Sequence, residues 1–330
     1  MNSNSTSNSP DRAHGHAQAH TNFCDLVVLG CGYVGSAVAG IAIARGWKVW
    51  ALTRNPERAT NLRAVGVNVV ESLLSAGAWH EKIPRDPRFV LDSVSAGGGG
   101  LPGYWESYVE GSKSILRWAA GGIPATFVFT GSTSVYAASD GTVVDETSEV
   151  GGSETSGPLL EAERLLRSSS LFERLFILRL AGIYGPGRHH LLDQLIAGAE
   201  LLPGTGRHRL NLVHQEDIVS AIYACFDSAK TIAGGTYNVC GDVAASKEEV
   251  TEWMAGRLGR PPPRFAHDAG MRGPTPGLVR GRSGPVPDRV VSNGRIAREL
   301  GWRPQFPDFR SGYEQIFHAD RIRVKPAGSG

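Results

Sequence analysis

Six residues early in the chain, Gly30-Cys31-Gly32-Tyr33-Val34-Gly35, have types and a spacing that chemistry can use. Where a G-x-G-x-x-G leaves a strand and opens a helix, the first glycine permits a tight turn. The second lets the backbone come against a pyrophosphate, and the third lets helix and strand pack closely. Unpaired N–H groups at the positive end of the helix then face the phosphates. Gly30, Gly32, Tyr33, Val34 and Gly35 are therefore expected to bind a nicotinamide dinucleotide. Farther on, Thr53-Arg54-Asn55 stands where an NAD site usually places Asp or Glu to hold the ribose 2′-hydroxyl. A carboxylate repels a 2′-phosphate and a guanidinium pairs with it, so Thr53 and Arg54 point to NADP, with NAD as the alternative.

Such a motif needs a parallel sheet behind it, and the first half of the chain alternates strand and helix signals. Phe23–Gly30, Trp47–Thr53, Val67–Glu71, Arg88–Val94, Ala125–Gly131 and Arg174–Leu180 are short apolar runs of strand length. Helical patterns fill Tyr33–Arg45, Gly103–Ala120 and Pro158–Ser168, and Pro56 opens another helix at a favourable first-turn position. Repeated βα units predict an α/β fold, a doubly wound parallel sheet (Rossmann fold), with a smaller C-terminal substrate lobe. The expected division is a disordered tail over 1–22, a nucleotide-binding domain over 23–181, and a lobe over 182–330 whose segment 210–240 returns to the sheet. Gly270–Asp288, rich in Gly, Pro and Arg, reads as a long loop that is either mobile or functional.

Composition removes several classes. A net charge of +2 without a basic, aromatic-interleaved stripe gives no reason to expect nucleic acid. No apolar segment reaches the roughly 18 residues of a membrane span, and the polar first residues lack the apolar run of a signal peptide. Cys24, Cys31, Cys225 and Cys240 form no Cys-x-x-Cys pair, which fits reduced thiols in the cytoplasm. His14, His16 and His20 fit a solvated tail better than a metal site, and no metal is expected.

Phe127–Thr147, Ile177–Gly187, Leu210–Ile222, Gly234–Asp242 and Ser292–Trp302 together resemble the extended short-chain dehydrogenase/reductases. This is the NAD-dependent epimerase/dehydratase-like group, and the likeness is to its atypical, YeeZ-like branch. The resemblance implies a catalytic Ser, matched by Ser132, and a Tyr-x-x-x-Lys whose tyrosine is the general acid/base. Here the implied positions hold Thr155 and Leu159, and no tyrosine of the chain has a lysine four residues later. The group's supporting Asn is replaced by Tyr108. Ser95 and Gly185 complete the cofactor-binding set that the resemblance implies.

A replacement proton donor is then sought in Tyr108, a phenol on the helix facing the nicotinamide by resemblance, and in His214, which titrates near neutral pH on a cleft-lining motif. Tyr136 is read as structural, Asp217 as a helix cap, and His189-His190 as adjacent rings that diverge rather than share a metal. The resemblance also implies a homodimer through the helices of Gly103–Ala120 and Pro158–Ser168. The reading is an NAD(P)-dependent oxidoreductase or epimerase/dehydratase-like protein for a small or sugar-like carbonyl or alcohol. Its rivals are a non-catalytic NADP(H)-binding sensor and a nucleotide-sugar dehydrogenase, the latter needing a catalytic cysteine.

Overall fold

The computed structural model describes residues 24–266 and 287–322. The expected tail over 1–22, with its three histidines, and residues 270–286 of the long loop lie outside the described residues.

Five short strands open the fold: β1 (Leu26–Leu29), β2 (Val49–Thr53), β3 (Asn68–Glu71), β4 (Phe89–Asp92) and β5 (Thr126–Ser132). After β6 (Val143–Val144) comes β7 (Arg174–Leu180), and β8 (Gly182–Tyr184) to β11 (Leu212–His214) enclose β9 (Leu201–Pro203) and β10 (Arg209–Leu210). β12 (Gly234–Val239) completes a seven-stranded sheet of order β12-β7-β5-β4-β1-β2-β3, parallel at every pairing. The strands are apolar on both sides because both sides are covered. Leu26, Val28, Leu91 and Val128 enter one core, and Val27, Leu29, Val90 and Phe127 the other.

Helix α1 (Tyr33–Ala44) follows the glycine motif, and α2 (Pro56–Ala64) starts on Pro56 with Asn55 as its N-cap, accepting from the Arg58 N–H at 2.9 Å. Between β4 and β5 the helix begins earlier than the sequence suggests and is not uniform. α3 (Gly100–Tyr104) runs into a π-helical segment, Trp105–Glu110, and then α4 (Gly111–Ala119). Pro102 is tolerated because it sits in a first turn, where no N–H is missed. π segments are rare and concentrate at functional sites. α5 (Ser156–Ser168) precedes β7.

A smaller core lies beyond the sheet. It joins Tyr184, Leu192 and Leu195 to Val250, Met254, Phe309, Tyr313 and Ile316. These come largely from α6 (His190–Ile196), α8 (Lys247–Arg257) and α10 (Phe309–Ala319). Around it β8 pairs with β11, β9 with β14 (Arg264–Ala266) and β10 with β13 (Ala245–Ser246), while β6 pairs with β15 (Val290–Val291). The chain between 210 and 240 leaves this core. α7 (Gln215–Asp227) packs on the first sheet core and β12 extends the sheet beside β7. α9 (Gly294–Leu300) adds Ile296 to the same core.

Strand order reverses between β1 and β4, where Leu29 stands opposite Asp92. The chain runs to opposite sides of the sheet beyond these two strand ends, and the crevice so opened is where doubly wound sheets take ligands.

Candidate active site

The glycine motif is shaped by what surrounds each residue. Gly30 has φ +77°, and a Cβ there would lie 2.7 Å from the Val94 Cα. At Gly35 a Cβ would come within 2.9 Å of the Val28 Cγ1, so the third glycine is what lets α1 press on β1. At Gly32 a Cβ would meet nothing nearer than the Gly30 carbonyl at 3.8 Å. Its face is open, and no side chain caps the first turn of α1. That leaves N–H groups at the positive helix end for a phosphate. Val34 is buried in the sheet core, so only its backbone could take part.

A cleft continues from Gly30 and Gly32 along the end of β2, past Thr53, Arg54 and Arg58 to Ser72 and Ser75. Ser93, Val94 and Ser95 form its opposite wall. The exposed Arg54 guanidinium crosses toward Gly97 in the glycine-rich turn, where φ is +62° and any side chain would collide with it. Arg58, one turn into α2, donates to the Ser36 Oγ at 3.2 Å. The one carboxylate on the cleft wall is Glu106, which accepts from the Ser75 Oγ at 3.4 Å. Arg58 was not anticipated. The available signal is the spacing of Arg54 and Arg58, which brings a strand-end arginine and a first-turn arginine to one side.

Tyr33 and Gly185 meet away from that cleft. The Tyr33 Oη donates to the Pro186 carbonyl at 3.0 Å, and a Cβ at Gly185 would lie 2.6 Å from the same hydroxyl. The Gln215 Nε2 donates to the Tyr33 carbonyl at 2.8 Å. The first residue of α1 is thus fastened to the turn after β8 and to the start of α7.

Ser132 ends β5, and its Oγ accepts from the Ser134 N–H at 3.1 Å, which leaves its proton available to a substrate oxygen. Tyr108 lies on the π segment, edge-on to Phe129 with centroids 6.3 Å apart and beside Tyr104 at 5.5 Å. Burial, then Tyr104 and Asp92, push its phenol well above the usual tyrosine range. Asp92 ends β4, is 1% exposed, and accepts from the Val94 N–H at 3.3 Å. Burial pushes its carboxyl up to about 7. Sequence reading passed over Asp92 because it closes an apolar strand, where one acid looks like a strand terminus.

His214 does not line the cleft. It is fully buried, its Nδ1 accepts from the Glu216 N–H at 3.4 Å as the N-cap of α7, and its ring lies between Tyr184 and Phe306. Burial lowers its pKa to about 4, so near neutral pH the ring is uncharged and its remaining N–H is a poor acid. Phe306, distant in sequence, is what covers it. The cap of α7 is thus His214 rather than Asp217, whose carboxylate instead accepts from the Gln305 and Phe306 N–H groups at 2.6 and 3.2 Å. His189 contacts Asp193 at 2.8 Å and Asp320 at 2.7 Å, and among the described residues no group of three ligating side chains is placed to hold a metal.

Leu159 is 1% exposed and belongs to the core. One turn on, Glu163 receives a bidentate pair from Arg179, at 2.9 and 2.8 Å. Arg179 also donates to the Tyr136 hydroxyl at 3.2 Å, and that hydroxyl donates to the Asn238 Oδ1 at 2.7 Å. Tyr136 is therefore committed to a buried network joining α5, β7 and β12. Cys225 and Cys240 are buried, and burial pushes the Cys240 thiol up to about 12, which makes neither a ready nucleophile.

Comparison with known proteins agrees with this fold. The profile of the NAD dependent epimerase/dehydratase family matches residues 26–240. Protein YeeZ of Escherichia coli K12 is 29% identical over 86% of this chain and 96% of its own length. A 3-diazoavenalumate denitrifying reductase of a Streptomyces species is 28% identical over 87% of this chain and 98% of its own. Among solved structures, MoeE5 in complex with UDP-glucose and NAD superposes with a TM-score of 0.74 at 21% identity, over 90% of this chain and 98% of that one, a likeness of fold.

Proposed function

Because the chain belongs to the NAD-dependent epimerase/dehydratase family, we propose that it is an NADP(H)-dependent reductase of a small or sugar-like carbonyl, with a proton donor other than the family's tyrosine. The observation that carries the cofactor half is Arg54 at the end of β2 with Arg58 in the first turn of α2, while the one carboxylate among the described lining residues, Glu106, bonds Ser75 instead. Gly30, Gly32, Gly35, Thr53 and Ser95 would hold the dinucleotide, Ser132 would orient the carbonyl oxygen, and the bound nicotinamide would supply the hydride. Tyr33 and Gly185, which meet away from that cleft, would fix the start of α1 over the phosphates. Buried, unpaired cysteines fit a cytoplasmic setting.

The test is a titration of both cofactors by fluorescence quenching, followed by a screen of NADPH oxidation against carbonyls. NADPH should bind at least about tenfold more tightly than NADH, as one added charge-assisted phosphate contact predicts. Tighter NADH binding would end the NADP assignment. The screen should include an arenediazonium salt. A relative is named for reducing a diazo compound, and hydride addition with loss of dinitrogen leaves no oxyanion to protonate. Tight NADPH binding with no turnover would favour the second reading, a sensor, for which the burial of Leu159 at the lysine position speaks.

The protein is further proposed to be a homodimer through α4 and α5. Leu159 and Leu166 of α5 face the core, whereas Leu160 and Leu165 on its other sides stay half-exposed. Sedimentation at micromolar concentration should give twice the 35.2 kDa chain mass, and a lone monomer would refute the assignment.

A further inference from the structure

A carboxyl group at the inner end of the crevice has no part in the reading above. Asp92 closes β4 at the switch point and is essentially inaccessible. Burying a carboxylate is costly unless a cation or several donors compensate. Here the compensation is one long bond from the Val94 N–H. The Thr130 hydroxyl, the polar neighbour from β5, donates to the Asp92 carbonyl at 3.1 Å and leaves the carboxyl alone. No charged side chain acts on it among the described residues. A strand this apolar has no structural need of an acid there.

The helix opposite brings Tyr108 to the same place. A π turn carries one residue more than an α turn, which rotates the side chains that follow it. The π segment presents Tyr108 between Tyr104 and Phe129, and Phe129 is the β5 residue in register with Asp92. Its hydroxyl makes no hydrogen bond among the described residues, and the titratable neighbours acting on it are Tyr104 and Asp92.

We propose that Asp92 and Tyr108 form the proton-delivery pair of this site, with Tyr108 donating to the oxygen of a carbonyl held by Ser132 and Asp92 restoring the phenol. The proposal rests on the reductase reading. The balance is simple. Hydride adds to the carbonyl carbon and the C=O π electrons move to oxygen. That oxygen takes the Tyr108 hydroxyl proton, and the phenolate takes the Asp92 carboxyl proton. Asp92 is recharged from solvent after the alcohol leaves. A phenol pushed upward by burial is a poor acid on its own, but it passes a proton readily to an alkoxide and regains one readily from a carboxylic acid. Tyr108 is the catalytic residue, and Asp92 is a positioning residue that acts through it.

The direct test is infrared difference spectroscopy on the NADPH-loaded protein against its Asp92→Asn variant, between about pH 5 and 9. The wild type should show a protonated-carboxyl band that disappears with a midpoint near 7 and is absent in the variant. In the pair proposed the phenol exchanges a proton with the carboxyl, so Tyr108→Phe should shift that midpoint. No such band at any pH, or a midpoint unchanged by Tyr108→Phe, would overturn the pairing. With the best carbonyl from the screen, Asp92→Asn should lower kcat by about 10²–10⁴-fold at unchanged NADPH affinity and flatten the fall of kcat above the midpoint. Wild-type kcat in Asp92→Asn would overturn the relay. A titrating, Tyr108-sensitive band without turnover of any substrate would remove the reductase reading and still support the pair.

Discussion

Replacing Glu163 by alanine is expected to destabilise the protein by about 3–5 kcal/mol, because it strands a buried guanidinium. Arg179 is 5% exposed and Glu163 3%, so neither charge can turn to water when its partner goes. The bidentate geometry satisfies two donors at once, and Arg179 spends a third on Tyr136. Arg167 reaches the same carboxylate at 3.2 Å from a more exposed position and also bonds Thr236. Truncating Glu163 therefore unsettles the seam between α5, β7 and β12. Urea unfolding should show the loss. A double variant, Glu163→Met with Arg179→Leu, should recover most of it, since an apolar pair of similar volume leaves no buried charge unmatched and Arg167 is exposed enough to be solvated. A single-variant loss under about 1 kcal/mol would mean that the pair behaves like a surface ion pair.

Arg54→Ala and Arg58→Ala should each weaken NADPH binding by about 1.5–3 kcal/mol, roughly 10- to 140-fold, while leaving NADH binding nearly untouched. The asymmetry is the diagnostic, because only the 2′-phosphate distinguishes the two cofactors. Arg58 also holds Ser36, so Arg58→Lys is the control that keeps charge while losing the planar fork. Raising salt should shrink the wild-type preference, since Arg54 is exposed and screened. Equal losses for NADPH and NADH would assign the arginines to general shaping of the cleft.

The sheet and the glycine turn could be read from the chain because their causes are local. An apolar run, a glycine at positive φ and a proline at a helix start act within a few residues. What escaped was decided by partners far off in sequence. His214 looked like a cleft residue until Phe306 and Tyr184 closed on it. Asp92 looked like a strand terminus, and its meaning depends on a phenol carried by a π segment that no periodicity announces. Arg58 shows its role only when α2 is placed beside α1. Tyr136 is set apart from the donors by resemblance, and its hydroxyl is taken up by Arg179 and Asn238.

The packing of Leu159 limits what can be built at that position. Restoring the family's dyad by Thr155→Tyr and Leu159→Lys would put an ammonium into the core that Leu159 now occupies. Burial would drive that lysine toward its neutral form. The nearest acid one turn away, Glu163, is already held by Arg179 and Arg167. A lysine at position 159 would thus need several core residues to change with it. Packing at position 159 makes a lysine there a change that no single substitution accommodates, and an engineered gain of activity is better begun from the groups that the crevice already holds.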